Sequence, residues 1–347
     1  MTRAEVVSLN AGRARRRRLA RSTDSGTDEL RRLRSQLGEA REALVRAERQ
    51  SRRPGLLAAL ARLAESGISL ANWETLARLQ KSLYFAFHSE RVDEFGYDPR
   101  FAASLEPLLE FLYAVWWRVE TVGIEHVPTS GAGLVVANHS GVLPWDGLMV
   151  KLAIKHQHPA RRHCRLLALD MFALLPFLAP MLARHGEIRA NPENAERVLR
   201  EGGLVGVFPE GVKGVGKYYR ERYKLARFGR GGFVRVALRT GAPLIPCAVV
   251  GAEEIHPVLA KADWIGRPLG LPYFPITPTF PVLGPLGVIP LPTKWSIDFS
   301  DPVPTEAYGP EAAEDPILVN RLTEQVRTTL QQMIDGRLAR RRSVWFG

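Results

Sequence analysis

The stretch NHSGVLPWDG at residues 138–147 contains a histidine and an aspartate that could act as a proton-transfer pair. Histidine, with an ordinary pKa of about 6.5, accepts protons near neutral pH, and a carboxylate partner fixes its tautomer and stabilises its charged form. His139 and Asp146 would lie about 10.5 Å apart along a continuous helix, so their contact requires a loop. Gly141 and Pro144 permit one. Asp146 could equally cap a helix that starts at the next residue, and capping does not exclude orienting the histidine.

Two further stretches place charged residues next to turn-forming ones. In FPEGVK, which ends at Lys213, a predicted strand runs into a turn that contains Glu210 and Gly211. This turn could bind a phosphorylated ligand, the carboxylate through a hydroxyl and the lysine through a phosphate, or it could be a surface turn with a salt bridge. Arg189 has the guanidinium geometry that binds phosphate bidentately, although it could also be an ordinary surface arginine.

Short apolar runs that alternate with helical segments must position these residues. The predicted strands are 134–137, 165–168, 204–208, 244–250 and 295–299, with a helix at 231–239. This alternation predicts an α/β fold, a mixed and largely parallel sheet flanked by helices. In such sheets the chemistry collects in loops at strand ends, and each of the three stretches ends a predicted strand.

The charge balance favours anionic partners. Lys and Arg number 48 against 36 Asp and Glu, a net charge of +12, which suits nucleic acid, phospholipid surfaces or phosphorylated substrates. The arginines at 13–21 have no interleaved aromatic residues, so a stacking platform for bases is absent and nucleic acid is not an expected partner. The two cysteines, Cys164 and Cys247, form no disulfide framework and fit a reducing, cytoplasmic location.

The sequence predicts no segment that spans a membrane. The sequence contains no apolar run of the roughly 20 residues that a spanning helix needs, and no signal peptide is visible. An amphipathic helix is predicted at 101–120, and its Trp116 and Trp117 would serve either core packing or a headgroup interface. If the protein meets a membrane, it is expected to lie on it.

In this order, the motif blocks resemble the glycerol-phosphate and 1-acylglycerol-phosphate acyltransferase family. That family has Asn-His with a downstream Asp, Gly-x-x-x-Arg or similar, Phe-Pro-Glu-Gly-x-Arg and an apolar run with Ile-Pro, here Ile245-Pro246. The resemblance covers about residues 120–300. Six residues separate His139 from Asp146 where the family usually has four, and Lys213 stands where Arg is commoner. Both departures resemble a branch that shares the Pro-Trp/Phe-Asp-Gly ending.

The resemblance implies a role for each motif residue. His139 would deprotonate the acceptor hydroxyl, which attacks an acyl thioester, and Asp146 would orient His139. The implied substrate-binding residues are Glu210 and Gly211 at the glycerol part, Lys213 and Arg189 at the phosphate, and Ile245 and Pro246 at the acyl chain. No cofactor or metal is expected. Acyl-CoA or acyl-carrier protein is the expected donor, and lysophosphatidate or a related lysophospholipid is the expected acceptor.

Three alternatives stay open. Because lysine is a point charge rather than a fork, the acceptor could instead be a neutral glyceride or glycolipid. A hydrolase of thioesters or lipids could use the same His/Asp pair, although the chain has no Gly-x-Ser-x-Gly elbow. A non-catalytic membrane-binding protein would depend on the basic tail and the tryptophan helix.

The chain is predicted to have four segments. Residues 1–26 form a disordered basic tail, 27–100 a helical extension, 101–310 the acyltransferase domain, and 311–347 a C-terminal helix that packs on it. The expected location is cytoplasmic, peripheral on the inner face of an anionic membrane.

Overall fold

The computed structural model describes residues 92–140, 143–168, 178–266 and 273–347. Contacts divide the chain into two compact units, Met1–Ala86 and Phe87–Gly347, and every described residue belongs to the second. The predicted tail and nearly all of the predicted helical extension therefore lie outside the described residues. Among the helices of the described part, none has the length and apolar character to cross a bilayer.

The main sheet consists of short, mostly buried strands. They are β1 (Glu120–Val122), β2 (Gly133–Ala137), β3 (Cys164–Ala168), β4 (Ile188–Arg189), β5 (Leu204–Val207), β6 (Leu244–Val250) and β9 (Ser296–Phe299). Both faces of the sheet are covered, which explains why β2 and β6 are apolar or small at nearly every position. A separate antiparallel pair is formed by β7 (Ala260–Lys261) and β8 (Pro275–Ile276).

The strand order is β1-β9-β6-β2-β5-β3-β4. Neighbours from β6 to β4 run parallel, β1 runs parallel to β9, and β9 runs antiparallel to β6. The predicted mixed, largely parallel sheet is therefore confirmed. Because β6, β2 and β5 are parallel neighbours, the segments that follow them all leave the sheet on the same side. We call this side, where the carboxyl ends of the three strands lie, the carboxyl edge.

Helices cover both faces of the sheet. They are α1 (Pro99–Phe111), α2 (Trp145–Gln157), α3 (Leu178–His185), α4 (Pro192–Arg200), α5 (Val212–Val215), α6 (Gly232–Thr240), α7 (Asp263–Gly266) and α8 (Pro316–Arg340). α1 and α8 begin alike: Asp98 and Asp315 accept hydrogen bonds from backbone N–H groups of the first turn, and each precedes a proline. These are strong helix-start signals, since the carboxylate satisfies orphan donors and proline lacks the N–H that would be orphaned.

Two apolar cores result from the alternation of side chains along the strands. In β2, Leu134 and Val136 face the core that contains α4, α6 and α8. Val135 and Ala137 face the opposite core, which contains α1 and α2. The helices are therefore in two layers on either side of the sheet.

The predicted helix at 101–120 is too long. α1 ends at Phe111 and continues as a π-helical segment, Leu112–Trp116, and Glu120 already belongs to β1. Trp117 is fully buried and stacks on Trp295 with ring centroids 4.5 Å apart. Core packing is therefore the correct interpretation for Trp117.

Candidate active site

The carboxyl end of β2 is fastened to β6 by Asn138. Its side-chain amide donates to the carbonyl of Val249 at 2.9 Å and its side-chain oxygen accepts from Val249 N–H at 2.7 Å. This side chain replaces a backbone pair just beyond the last paired residues, Ala137 and Cys247. As a result, the direction of the next residue, His139, is fixed by the sheet.

His139 and Asp146 are in direct contact. The distance from His139 Nδ1 to Asp146 Oδ2 is 2.7 Å, and both side chains are buried. Ser140 and Leu143 are not helical and α2 begins only at Trp145, so His139 and Asp146 do not lie on one continuous helix. Gly141, which was expected to permit the loop, lies outside the described residues. Since a carboxylate accepts, Nδ1 carries the proton and Nε2 is the basic nitrogen. Within the described part of the chain, Nε2 has no hydrogen-bond partner.

Asp146 is held by its own surroundings. Its Oδ2 also accepts from Ser140 N–H at 2.8 Å and from the Ser140 hydroxyl at 3.3 Å, and its Oδ1 accepts from Gly147 N–H at 2.8 Å. Asp146 lies inside the first turn of α2, so it is not the N-cap that the sequence allowed. The helix N-terminus favours its negative charge. Because the Ser140 hydroxyl bonds to Asp146, it is not poised as a nucleophile activated by His139.

Glu210 supports His139 from the neighbouring strand. It follows β5, and its Oε1 accepts from the backbone N–H of His139 at 3.0 Å. Its Oε2 accepts from Ala226 N–H at 2.7 Å and pairs with Lys217 Nζ at 2.8 Å. Gly211 has a φ of +55°, the left-handed region that favours glycine in a tight turn. The glycerol-binding role of Glu210 stays a prediction; in the structure its carboxylate is engaged by the protein's own donors.

Lys217 and Glu253 complete a buried charge network that sequence reasoning missed. Lys217 Nζ lies 2.8 Å from Glu210 and 3.4 Å from Glu253, and Tyr223 N–H donates to Glu253 at 3.0 Å. Burial raises the pKa of Glu253 to about 7, against the lowering effect of Lys217. Lys217 is shared by two carboxylates, so its charge cannot fully offset both. Neither residue belongs to a motif block, so the sequence contained no signal for them.

The raised pKa of Glu253 predicts a pH-dependent loss of stability. Between its ordinary pKa of 4.5 and about 7, the unfolded chain has lost this proton while the folded chain keeps it. The free energy of unfolding therefore falls as the pH rises through this window, by about 3 kcal/mol at 1.4 kcal/mol per pKa unit. Glu253→Gln should remove this loss. Urea unfolding of both proteins at pH 5 and pH 8 measures it, and equal pH dependence in the two would contradict the assignment.

Glycine and phenylalanine shape the immediate surroundings of the histidine. A Cβ at Gly214, in α5, would lie 2.8 Å from the Cβ atoms of both His139 and Glu210, so only glycine fits. The ring of Phe208 lies 4.7 Å from the His139 ring, centroid to centroid. The FPEG turn thus packs directly on the histidine.

The two predicted phosphate-binding cations lie in different places. Lys213 precedes Gly214, is exposed, and forms no ion pair with any described residue. Arg189 is exposed at the end of β4, the edge strand, three positions from β2 in the sheet. Neighbouring strands lie about 4.8 Å apart, so β4, which ends at Arg189, lies about 14 Å from β2, the strand that His139 follows. Lys213 therefore adjoins a residue that packs against His139, whereas Arg189 lies on the edge strand, and the phosphate-binding role of both stays a prediction.

The two predicted acyl-site residues lie in the middle of the sheet. Ile245 and Pro246 pair with Val135 and Val136, and Ile245 is fully buried in the core with α1 and α2. His139 is level with Val249, four residues further along β6, or about 13 Å. Ile245 is thus a core residue in the structure, and its contact with an acyl chain stays a prediction.

Among the described residues, one trio has the donors for a cation. Ligand atoms of Glu106, Glu110 and His156 lie within 4.8 Å of one another between α1 and the end of α2. Lys155 already contacts the Glu106 carboxylate. His156 is ten residues beyond Asp146 on α2, about 15 Å away, so this trio is separate from the histidine site.

Comparison with known proteins places the chain in a class. The acyltransferase family profile matches residues 118–250, which include the histidine, aspartate and glutamate described above. An uncharacterized protein of Mycobacterium tuberculosis is 51% identical over 257 residues, which cover 74% of this chain and 72% of that protein. One from Mycobacterium leprae is 50% identical over the same length. The chain belongs to the acyltransferase family, and the resemblance found in its motifs is confirmed.

Two less similar proteins found in the comparisons have named activities. The human "DGAT1/2-independent enzyme synthesizing storage lipids" is 27% identical over 227 residues, which cover 64% of this chain and 62% of that enzyme. The crystal structure of the 1-acyl-sn-glycerophosphate acyltransferase PlsC from Thermotoga maritima matches with a TM-score of 0.45 and 16% identity, over 78% of this chain and 90% of that one.

Proposed function

We propose that this protein transfers a fatty acyl chain from a thioester donor to a hydroxyl group of a lipid acceptor, with His139 as general base. The observation that carries this proposal is the 2.7 Å contact between His139 Nδ1 and Asp146 Oδ2. It leaves Nε2 as the basic nitrogen at the carboxyl edge of the sheet. A neutral alcohol needs such a base to attack a thioester.

The reaction balances with these two side chains. Nε2 takes the proton of the acceptor hydroxyl while the hydroxyl oxygen attacks the carbonyl carbon of the thioester. A C–O bond forms, and the C–S bond of the thioester breaks. The imidazolium then returns the proton to the departing thiolate. Asp146 stabilises the imidazolium, and the bond from Glu210 to the backbone of His139 keeps the ring in place. No covalent acyl-enzyme is required.

The donor is proposed to be acyl-CoA or an acyl-carrier protein. Both present a thioester on an anionic carrier, which suits the net charge of +12. The expected location is the cytoplasmic inner face of a membrane, in phospholipid or other glycerolipid synthesis.

The first candidate acceptor is lysophosphatidate or a related lysophospholipid. Lys213 supports it, because this exposed lysine precedes Gly214, which packs against His139. Lys213 has no ion pair among the described residues and could bind a phosphate. The second candidate is a neutral glyceride. It is favoured by the position of Arg189 on the edge strand, by the engagement of Lys217 with two carboxylates, and by the storage-lipid activity in the name of the human relative.

Lys213→Ala should separate the two acceptors. Thiol release from palmitoyl-CoA is measured with lysophosphatidate and, separately, with a monoacylglycerol. If Lys213 binds the phosphate, the KM for lysophosphatidate rises about ten-fold or more, since a hydrogen bond to a charged group is lost. The KM for the neutral acceptor should not change.

Arg321→Ala, which removes an exposed cation of α8, is the matched control. If the wild type turned over with the monoacylglycerol and not with lysophosphatidate, the acceptor would be the neutral glyceride. Thiol release at the full rate without any acceptor would show hydrolysis and contradict the transfer reaction.

A further inference from the structure

Residues 282–289 expose an unusual density of large apolar side chains. The exposed fractions are 80% for Val282, 54% for Leu283, 67% for Leu286, 46% for Val288 and 53% for Ile289. Single exposed apolar side chains are ordinary, but a contiguous group marks a surface that contacts a partner or a membrane.

This group continues, through Trp116, onto α1 and the π-helical segment that follows it. The Trp116 Nε1–H donates to the carbonyl of Pro290 at 2.9 Å, and the Trp116 ring lies 6.3 Å from that of Phe111. Phe111, Val115 and Leu108 are themselves exposed. We call this combined surface the apolar rim; its residues are Leu108, Phe111, Val115, Val282, Leu283, Leu286, Val288 and Ile289.

The rim segment is held in place by hydrogen bonds. His256 Nε2–H donates to the carbonyl of Val288 at 2.9 Å, and Leu291 N–H donates to the carbonyl of Ile255 at 3.0 Å. The Thr279 hydroxyl donates to the carbonyl of Gly287 at 3.1 Å. These bonds fix the backbone while the apolar side chains point outward, so their exposure is built into the fold.

The same hydrogen bonds place the rim near the carboxyl edge of the sheet, where His139 lies. Ile255 and His256 follow β6, whose carboxyl end is level with His139. A flat apolar partner that covered the rim would therefore face the edge of the sheet where the histidine lies.

Polar groups at the border of the rim match a lipid headgroup layer. The Arg118 guanidinium donates to the carbonyls of Pro292 at 3.0 Å and Trp345 at 2.6 Å. Trp345 and its neighbour Phe346 are exposed. Tryptophan and arginine around an apolar surface are typical of proteins at the boundary between headgroups and acyl chains.

We infer that the apolar rim is the surface by which this protein enters a phospholipid bilayer, so that His139 faces lipids in the membrane. The inference rests on the proposed function, which requires an acceptor and a product that dissolve in a bilayer. The occupant is a phospholipid membrane, and a second copy of the chain is the competing occupant.

Site-specific labelling tests the contact without turnover. Both native cysteines are buried, so Leu286→Cys can be labelled selectively with an environment-sensitive fluorophore. Vesicles of phosphatidylcholine and phosphatidylglycerol should shift its emission to the blue and raise its intensity at least two-fold. Labelled Ile317→Cys is the control, because Ile317 is at least as exposed as Leu286 and lies on α8, outside the rim. Its emission should not change. Equal responses at both positions, or none at position 286, would overturn the inference.

Vesicle sedimentation tests whether the rim is needed for binding. In Leu286→Ser with Ile289→Ser, the vesicle-bound fraction should fall at least five-fold, and Ile317→Ser should bind like the wild type. Unchanged binding of the double variant would overturn the inference. So would a wild-type dimer that becomes monomeric in the double variant, since a second copy would then cover the rim.

Activity on water-soluble short-chain substrates distinguishes this inference from the proposed function. The double variant should retain wild-type turnover there, because its changes lie outside the histidine site. If the rim of the wild type inserted into vesicles but the protein transferred no acyl chain, only the proposed function would be contradicted.

Discussion

His139→Ala should lower kcat for acyl transfer by about 10³-fold or more, with little change in the donor KM. Nε2 of His139 has no hydrogen-bond partner within the described part of the chain and can accept a proton, and a neutral alcohol attacks a thioester slowly without a base. The measurement is acceptor-dependent thiol release from palmitoyl-CoA by the purified wild type and variant. Circular dichroism should show an unchanged fold, because the Glu210 bond is to the backbone of this residue and survives the substitution.

Asp146→Asn and Ser140→Ala provide graded controls. Asp146→Asn should reduce kcat by about 10²–10⁴-fold, since an amide cannot stabilise the imidazolium and can leave the wrong ring nitrogen protonated. Ser140→Ala removes one of the donors to Asp146 and should reduce kcat by less than about ten-fold. If Ser140→Ala abolished activity while His139→Ala spared it, the general-base mechanism would be wrong.

Lys217→Met should lower the free energy of unfolding by about 3–5 kcal/mol, the usual effect of removing one partner from a buried ion pair. The substitution leaves Glu210 and Glu253 buried without their shared cation. It should also lower kcat, because Glu210 holds the backbone of His139. Urea unfolding at pH 8 measures the first effect, and thiol release at a temperature where the variant is folded measures the second.

A double variant tests the cause. Adding Glu253→Gln to Lys217→Met should recover at least about 1 kcal/mol at pH 8, because one unpaired carboxylate becomes neutral. Lys224→Met is the matched control: this exposed lysine has no ion pair within the described part of the chain, and its loss should change stability by less than about 0.5 kcal/mol. Equal destabilisation by Lys217→Met and Lys224→Met would contradict the buried network.

The predictions for His139 and for Lys217 both concern the way in which the protein holds the histidine in place. The strand ends bring two motif blocks together, and buried polar groups, rather than loops exposed to solvent, hold the histidine. Such preorganisation costs stability where charges are buried, and at Glu253 the burial raises the pKa to about 7.

Several features were determined by the sequence itself. The strand at 244–250 was predicted at its observed bounds, because a fully buried parallel strand is a continuous apolar run. The contact between His139 and Asp146 was predictable from local chemistry, since Pro144 interrupts any helix between them and brings a seven-residue separation within reach. The family was evident from the order of the motif blocks.

Other features were decided only by the tertiary structure. Lys217 meets Glu253, 36 residues further along the chain, and Asn138 binds Val249, 111 residues further along. Neither contact has a local pattern that could reveal it.

Strand order and burial decided the rest. The position of β4 at the sheet edge moved Arg189 away from the histidine, and strand order depends on crossovers that composition does not encode. Packing also decided which aromatic residues of the amphipathic stretch are buried. Trp117 is buried against Trp295, whereas Phe111 is exposed, because the residues that cover one face of this stretch come from the distant C-terminal part of the chain.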